Sequence, residues 1–141
     1  MTHAKGPRGA RARPAAALVE FAMVAPLLFL LVMGSVEFAR AFMANNLLAN
    51  AARCGGRVGA IPGTANADIT ASVDQSLGGV GISGHSVSVT VNGKPVDAKT
   101  AFQGDTVEVS VSVPYSAVTW LPSPSFLADA TLKETVVMRR E

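Results

Sequence analysis

The feature that most constrains this chain is an uninterrupted apolar stretch near its N-terminus. Residues 21–36 contain no charged side chain, and a helix extended over residues 15–39 would be 25 residues long. A helix rises about 1.5 Å per residue, so this length can cross a hydrocarbon core about 30 Å thick. Because lipid offers the backbone no hydrogen-bond partners, we predict a single transmembrane helix over residues 15–40.

The segment before the apolar stretch is basic and contains no acid. Its four cations are Lys5, Arg8, Arg11 and Arg13. The positive-inside rule therefore predicts a basic cytoplasmic tail at residues 1–14 and an extracytoplasmic domain at residues 41–141. A nucleic-acid-binding arm carries similar charge, but the apolar helix directly behind it favours a membrane flank, so we expect no nucleic-acid partner. A secretory signal peptide also has this order of regions. The apolar run is longer than usual for one and no small-x-small cleavage site follows it, which favours a retained anchor.

The helical pattern continues beyond the apolar stretch. An apolar stripe and a polar stripe recur at spacings of three, four or seven residues, as on one amphipathic helix. The apolar stripe comprises Val36, Met43, Leu47, Ala51, Cys54 and Val58, and the polar stripe comprises Asn46, Asn50, Arg53 and Arg57. We therefore predict one long helix from Ala15 to Val58, whose second half packs on the domain. Pro26 removes one helical hydrogen bond and predicts a local kink.

The remainder of the chain predicts a short helix and an antiparallel sheet. Residues 66–68 can cap a helix that ends near Leu77. Alternating valines predict strands, and Asn92-Gly93 is a strong hairpin signal. The predicted strands lie at residues 87–91, 107–113 and 131–138, with a loop at Trp120–Pro122 before the last. The expected fold class is α+β, with the sheet covered by the long helix and the short one.

No pattern of residues in the sequence indicates a catalytic or metal site. The acids are scattered and no known catalytic motif is present, so we expect neither an enzyme nor a cofactor. His3 and His85 lie far apart and are interpreted as incidental. Cys54 is the single cysteine, which excludes an intramolecular disulfide or a cysteine-based metal cage. We interpret Cys54 as a small packing residue, with an intermolecular disulfide as the alternative.

Three charged residues border the apolar stretch. Glu20 lies near its start, and burying a charge at mid-membrane costs about 2.5–3.5 kcal/mol. Its carboxylate either faces the headgroups paired with Arg13 or pairs with a positive group on a neighbouring subunit. The charge pattern alone favours neither interpretation. Glu37 and Arg40 are expected to mark the outer membrane boundary.

Three segments of the sequence form a recognisable series: ALVEFAMVAPLL at residues 17–28, GSVEFARAF at residues 34–42 and residues 50–57. In their order and spacing they resemble the TadE-like (TadE/TadG) family, pilin-like minor components of tight-adherence (Flp) pilus systems. The resemblance implies a pilin-like fold and a structural role in assembling a bacterial type IV pilus of the Flp type. It also implies an inner-membrane location. The implied partners are membrane lipid, other pilin-like subunits, pilus assembly platform proteins and a prepilin peptidase.

The resemblance also implies roles for individual residues. Glu20 would neutralise the N-terminal amine of an adjacent subunit and so register the two subunits. The implied peptidase junction lies between Ala15 and Ala16, although glycine usually precedes such a junction. Without cleavage the protein would be a permanent anchor. The alternative function is a membrane-tethered extracytoplasmic binding or adhesin module unrelated to pili.

Overall fold

The computed structural model of the chain describes residues 12–119 and 129–141. Two helices precede three strands: α1 (Ala12–Gly59), α2 (Asn66–Gly78), β1 (Ser86–Val91), β2 (Thr106–Pro114) and β3 (Thr131–Arg139). The predicted α+β class is confirmed. Two compact units divide the chain, one ending at Val36 and the other running from Glu37 to Glu141. Most of the predicted basic tail and the predicted loop at Trp120–Pro122 lie outside the described residues.

Helix α1 is slightly longer than the sequence predicted. It begins at Ala12 rather than Ala15, so the last three residues of the predicted tail are helical. Pro14 falls in the first turn, where its missing N–H removes no helical hydrogen bond. The helix continues through Pro26 and ends at Gly59. A kink at Pro26 stays a prediction.

The sheet is antiparallel with the order β1-β2-β3. Val91 pairs with Val107, and Val109 pairs with both Val89 and Val136. Asn92 and Gly93 have φ values of 50° and 75°, as a tight primed turn requires. The turn therefore forms as predicted, but only Lys94 pairs back with Val91. The long return strand, β2, begins at Thr106, after a connection that contains a short 3₁₀ helix at Ala98–Thr100.

The core lies between one face of β2 and the two helices. Four alternate valines of β2 are completely buried: Val107, Val109, Val111 and Val113. Helix α2 adds three apolar residues that lie four apart along one face: Ile69, Val73 and Leu77. Its first turn is held by Asp68, whose carboxylate accepts the Ala65 N–H at 3.1 Å. The Asn66 side chain does not cap the helix and instead accepts the Ala98 N–H at 2.8 Å.

The buried face of α1 differs from the predicted apolar stripe. Met43 and Cys54 are exposed, so their predicted places in the core are wrong. The buried positions are mainly small: Ala44, Leu48, Ala51, Ala52, Gly55, Gly56 and Gly59. The prediction placed the larger apolar side chains inside, but the sheet and α2 approach α1 so closely that small residues are needed there.

Candidate membrane anchor and the charged residues that follow it

The N-terminal part of α1 presents apolar side chains on all sides. Its large exposed residues are Leu18, Val19, Phe21, Met23, Val24, Leu27, Leu28, Phe29, Leu30, Leu31, Val32 and Met33. Over the described residues, α1 is the one helix long and apolar enough to cross a membrane by length and composition. Its most apolar window is not buried at all within the protein. A helix that is apolar all round requires an apolar environment, which a bilayer supplies.

Glu20 is exposed on this apolar helix. Its carboxylate has no hydrogen-bond or ion-pair partner among residues 15–119 and 129–141. Arg13, the alternative partner within the chain, precedes the side chains that the structure describes, so that pairing stays a prediction. Ala15 and Ala16 are helical and exposed, and Pro26 is also exposed. Ala16 lies one helical turn before Glu20, whereas Pro26 and Cys54 lie further along α1. The registry role of Glu20 and the cleavage junction stay predictions.

The charges of Glu37 and Arg40 turn towards the domain. The Glu37 carboxylate accepts hydrogen bonds from the Thr119 hydroxyl at 2.9 Å and the Tyr115 hydroxyl at 3.4 Å. The Arg40 guanidinium donates to the Val118 carbonyl from Nε at 3.2 Å and from Nη2 at 2.8 Å. We call these five residues the charge clamp. Its partner segment includes the 3₁₀ turn Tyr115–Ala117 and is remote in sequence from α1, so spacing along α1 could not reveal it.

A shallow groove of about 170 Å³ lies beside the charge clamp. Its lining is mostly apolar and includes Met43, Leu47, Ile82 and Val118. Small-molecule sites usually measure about 300–1,000 Å³, so the groove is small for a substrate pocket. Within the described ranges, no group of three or more histidines, cysteines or acids could hold a metal ion.

Arg140 is the buried charge that sequence reasoning missed. Its side chain is only 2% exposed and reaches between two loops. It donates from Nη2 to the Ile61 carbonyl at 2.7 Å and from Nη1 to the Ala98 carbonyl. The Arg140 backbone N–H also donates to the Asp105 carbonyl at 2.8 Å. Arg139 and Arg140 look alike in the sequence, and only the alternation of β3 places Arg140 inside.

Two acids near this loop cluster have lowered pKa values. For Asp105, the hydrogen bond from the Asn92 side chain is the largest cause, followed by the Phe102 N–H. For Asp97, the N–H groups of Lys99 and Asn66 lower the pKa most. Both carboxylates stabilise loops between β1 and β2, because each accepts backbone donors that would otherwise lack partners.

These features define a class of protein with one apolar helix, suited to a single-pass membrane anchor, that continues into a small α+β domain. Residues 15–57 match the sequence model of the TadE-like protein family. The match covers just under a third of the chain and confirms the predicted resemblance over α1. It relates this segment to proteins of Tad pilus systems. No curated protein and no solved structure matches the chain significantly.

Proposed function

We propose that this protein is a structural, minor pilin-like component that takes part in assembling a Tad (Flp) type IV pilus. The N-terminus would be cytoplasmic, the apolar part of α1 would anchor the chain in the inner membrane, and the α+β domain would face outward. The observation that carries the proposal is the fully exposed apolar helix within the segment that matches the TadE-like family.

The exposed helix supports lateral packing against other pilin-like helices. Small residues at Ala22, Ala25 and Gly34 permit close approach between helices in lipid. Gly34 has no other residue within 4 Å of the place where a Cβ would stand, so its surface is open to a partner. Lipid and neighbouring subunits would then share this surface, and pilus platform proteins would act on the assembled subunits.

Glu20 supplies the polar contact in this packing. Its carboxylate is exposed and has no partner among residues 15–119 and 129–141 of its own chain, so a positive group on a neighbouring subunit can pair with it. In a low-dielectric setting an unpaired charge is costly, and a pair would therefore favour one axial register between subunits. Cleavage between Ala15 and Ala16 by a prepilin peptidase would create such a positive group, the new N-terminal amine.

The proposal is tested by replacing Glu20 in the full-length protein. We expect Glu20→Gln to abolish or strongly reduce pilus assembly while membrane insertion and protein level stay unchanged. Glu20→Asp keeps the charge and should restore part of the assembly. Glu108→Gln, a matched change on β2, should have no effect. Normal pili in the Glu20→Gln strain would overturn the registry role.

The chain's N-terminus gives a second, independent test. Mass spectrometry of the protein recovered from native membranes should show a chain that begins at Ala16. A chain that retains residues 1–15 would show that no peptidase acts there and that the protein is a permanent anchor. The pairing of Glu20 with a new amine would then be excluded.

One observation favours the alternative of a membrane-tethered binding module. The face of the sheet away from the core carries many hydroxyls: Ser86, Ser88, Thr90, Ser110, Ser112 and Thr135. Ser110 and Thr135 bond each other at 2.7 Å, but Ser86, Ser88 and Thr135 are exposed and could bind a polar ligand. A binding module should retain target binding when residues 1–36 are replaced by an unrelated membrane anchor. A pilus component should lose its function in the same exchange.

A further inference from the structure

In the first two turns of α1 after Val36, apolar side chains are exposed and charged side chains face the domain, which is the reverse of an ordinary surface helix. Phe38 and Phe42 lie one turn apart and are 77% and 65% exposed, and Met43 is 62% exposed. Glu37 and Arg40 point away from Phe38 and Phe42, into the charge clamp, and Met43 lines the groove beside Arg40. A helix at a domain surface in water normally points its charges outward and its apolar residues inward.

The ordinary arrangement returns one turn later. Ala44 and Leu48 face the core and are buried, whereas Asn46 and Asn50 point outward and are exposed. Arg53 and Arg57 continue the outward polar face. Successive helical residues are about 100° apart, so Phe42 and Asn46 point in nearly the same direction. Because one side chain is apolar and the other is polar, the environment on this face must change between them. The outward face thus changes from apolar to polar between Met43 and Asn46.

We propose that the bilayer covers the outward face of α1 as far as Met43, so that Phe38, Phe42 and Met43 form a lipid-contacting collar on the domain. The occupant of this surface is lipid at the boundary between acyl chains and headgroups. The apolar surface of the collar follows directly on the apolar stretch of α1 before it. Side chains on a helix lean towards its N-terminus, so the rings of Phe38 and Phe42 point towards the membrane-anchored end.

The hydrogen bonds of the charge clamp lower the free-energy cost of placing Glu37 and Arg40 at this depth in the membrane. Near the headgroups, water supplies fewer hydrogen bonds than in bulk solution, and an unpaired charge is penalised. The hydroxyls of Thr119 and Tyr115 satisfy the Glu37 carboxylate, and the Val118 carbonyl satisfies the Arg40 guanidinium. The sequence-based boundary at Glu37 and Arg40 therefore moves outward on the exposed face.

The depth of the collar also fixes the depth of Glu20. A hydrocarbon core of about 30 Å takes about 20 helical residues. If that core ends close to Met43, it begins near Val24. Glu20 then lies one turn towards the cytoplasm, at the level of the headgroups, while the protein resides in the membrane.

This inference rests on the proposed function only in requiring that α1 anchors the chain in a bilayer. It is tested on the full-length protein with Cys54→Ser, carrying one environment-sensitive fluorophore on an introduced cysteine. The four positions are Phe29→Cys, Phe42→Cys, Asn46→Cys and Asn50→Cys, all exposed on α1. The labelled proteins are reconstituted at low density in phosphatidylcholine vesicles with and without brominated acyl chains.

We expect brominated lipid to quench the label at residue 42 at least about half as strongly as at residue 29, and labels at residues 46 and 50 weakly. Quenching at residue 29 with none at residue 42 would overturn the inference and leave the anchor intact. Absence of quenching at residue 29 would overturn the anchor itself. The label at residue 42 could instead be shielded from water without being quenched, and the shielding could rise with protein density. That result would assign the collar to contact with a second helix and would also overturn the inference.

Discussion

Gly55 of α1 lies directly against Val73 of α2, so close that a Cβ at residue 55 would come within 2.8 Å of Val73 Cγ2. The same Cβ would meet Ile69 and Val109 at 3.3 Å. Gly59 is similarly close, with a Cβ-to-Val107 distance of 3.0 Å. The second half of α1 therefore depends on glycine for its fit, although glycine lowers helix propensity.

Replacing Gly55 should destabilise the domain because real Cβ contacts almost never fall below 3.0 Å. We expect Gly55→Ala to lower the free energy of unfolding by about 1–3 kcal/mol. Gly78→Ala is the matched control, since nothing lies within 4 Å of its added Cβ. Denaturant unfolding followed by circular dichroism on the detergent-solubilised protein measures both. Equal stability of the two variants would refute the close packing.

The buried guanidinium of Arg140 should matter far more than that of its neighbour. Arg140→Ala removes a buried side chain and its two charge-assisted hydrogen bonds to the Ile61 and Ala98 carbonyls, and we expect a loss of about 2–4 kcal/mol in unfolding free energy. Arg139, the last residue of β3, is exposed, so Arg139→Ala should change stability by about 0.5 kcal/mol or less. Thermal unfolding of both variants compares them, and similar melting temperatures would contradict the assignment.

Asp105 should make the domain sensitive to acid. Its pKa is lowered from the ordinary value of 3.8, so the folded state binds fewer protons than the unfolded state. Its contribution is complete above the ordinary value and is lost as the pH falls through the lowered one. Asp105→Asn should flatten the decline in stability between about pH 4 and pH 2. Unfolding free energies measured across this range test it, and an unchanged slope would exclude Asp105.

Cys54 provides a test of orientation because its thiol is exposed on α1. We expect a membrane-impermeant maleimide to label it in intact spheroplasts. In the Cys54→Ser background, a Thr2→Cys variant produced without the prepilin peptidase, so that residues 1–15 are retained, should be labelled only after the membrane is permeabilised. Labelling of both thiols in intact spheroplasts, or of neither, would contradict a cytoplasmic N-terminus with an outward-facing domain. The same thiol would form a dimer under oxidising conditions if Cys54 meets its counterpart on another subunit.

Local patterns predicted most elements of the fold. The charge-free run at residues 21–36 and the periodicity behind it predicted one long helix, and the alternating valines predicted three strands. Asn92-Gly93 predicted a turn that forms with positive φ at both residues. That β1 pairs with β2 across residues 92–105 was harder to predict from the sequence. The turn at Asn92-Gly93 brings only Lys94 back to Val91, in a single bridge, and the paired strand begins much later.

The site was less predictable than the elements. Glu20 was noticed from its charge at the start of the apolar stretch, whereas its registry role and the junction between Ala15 and Ala16 came from the family resemblance. The match over residues 15–57 confirms the resemblance and leaves each residue's role a prediction. Glu37 and Arg40 were noticed as boundary charges, but their partners at residues 115–119 lie far away in sequence. No helical periodicity can report a contact with such a remote turn.

By itself, the sequence determined that the chain has one apolar helix of membrane-spanning length and a valine-rich domain, because both depend on local composition and period. Only the tertiary structure decided which side of α1 faces the core, because more than one face of this helix carries enough apolar residues to be buried. The choice was made by close packing: Gly55 and Gly59 fit against Val73 and Val107, whereas a larger side chain does not.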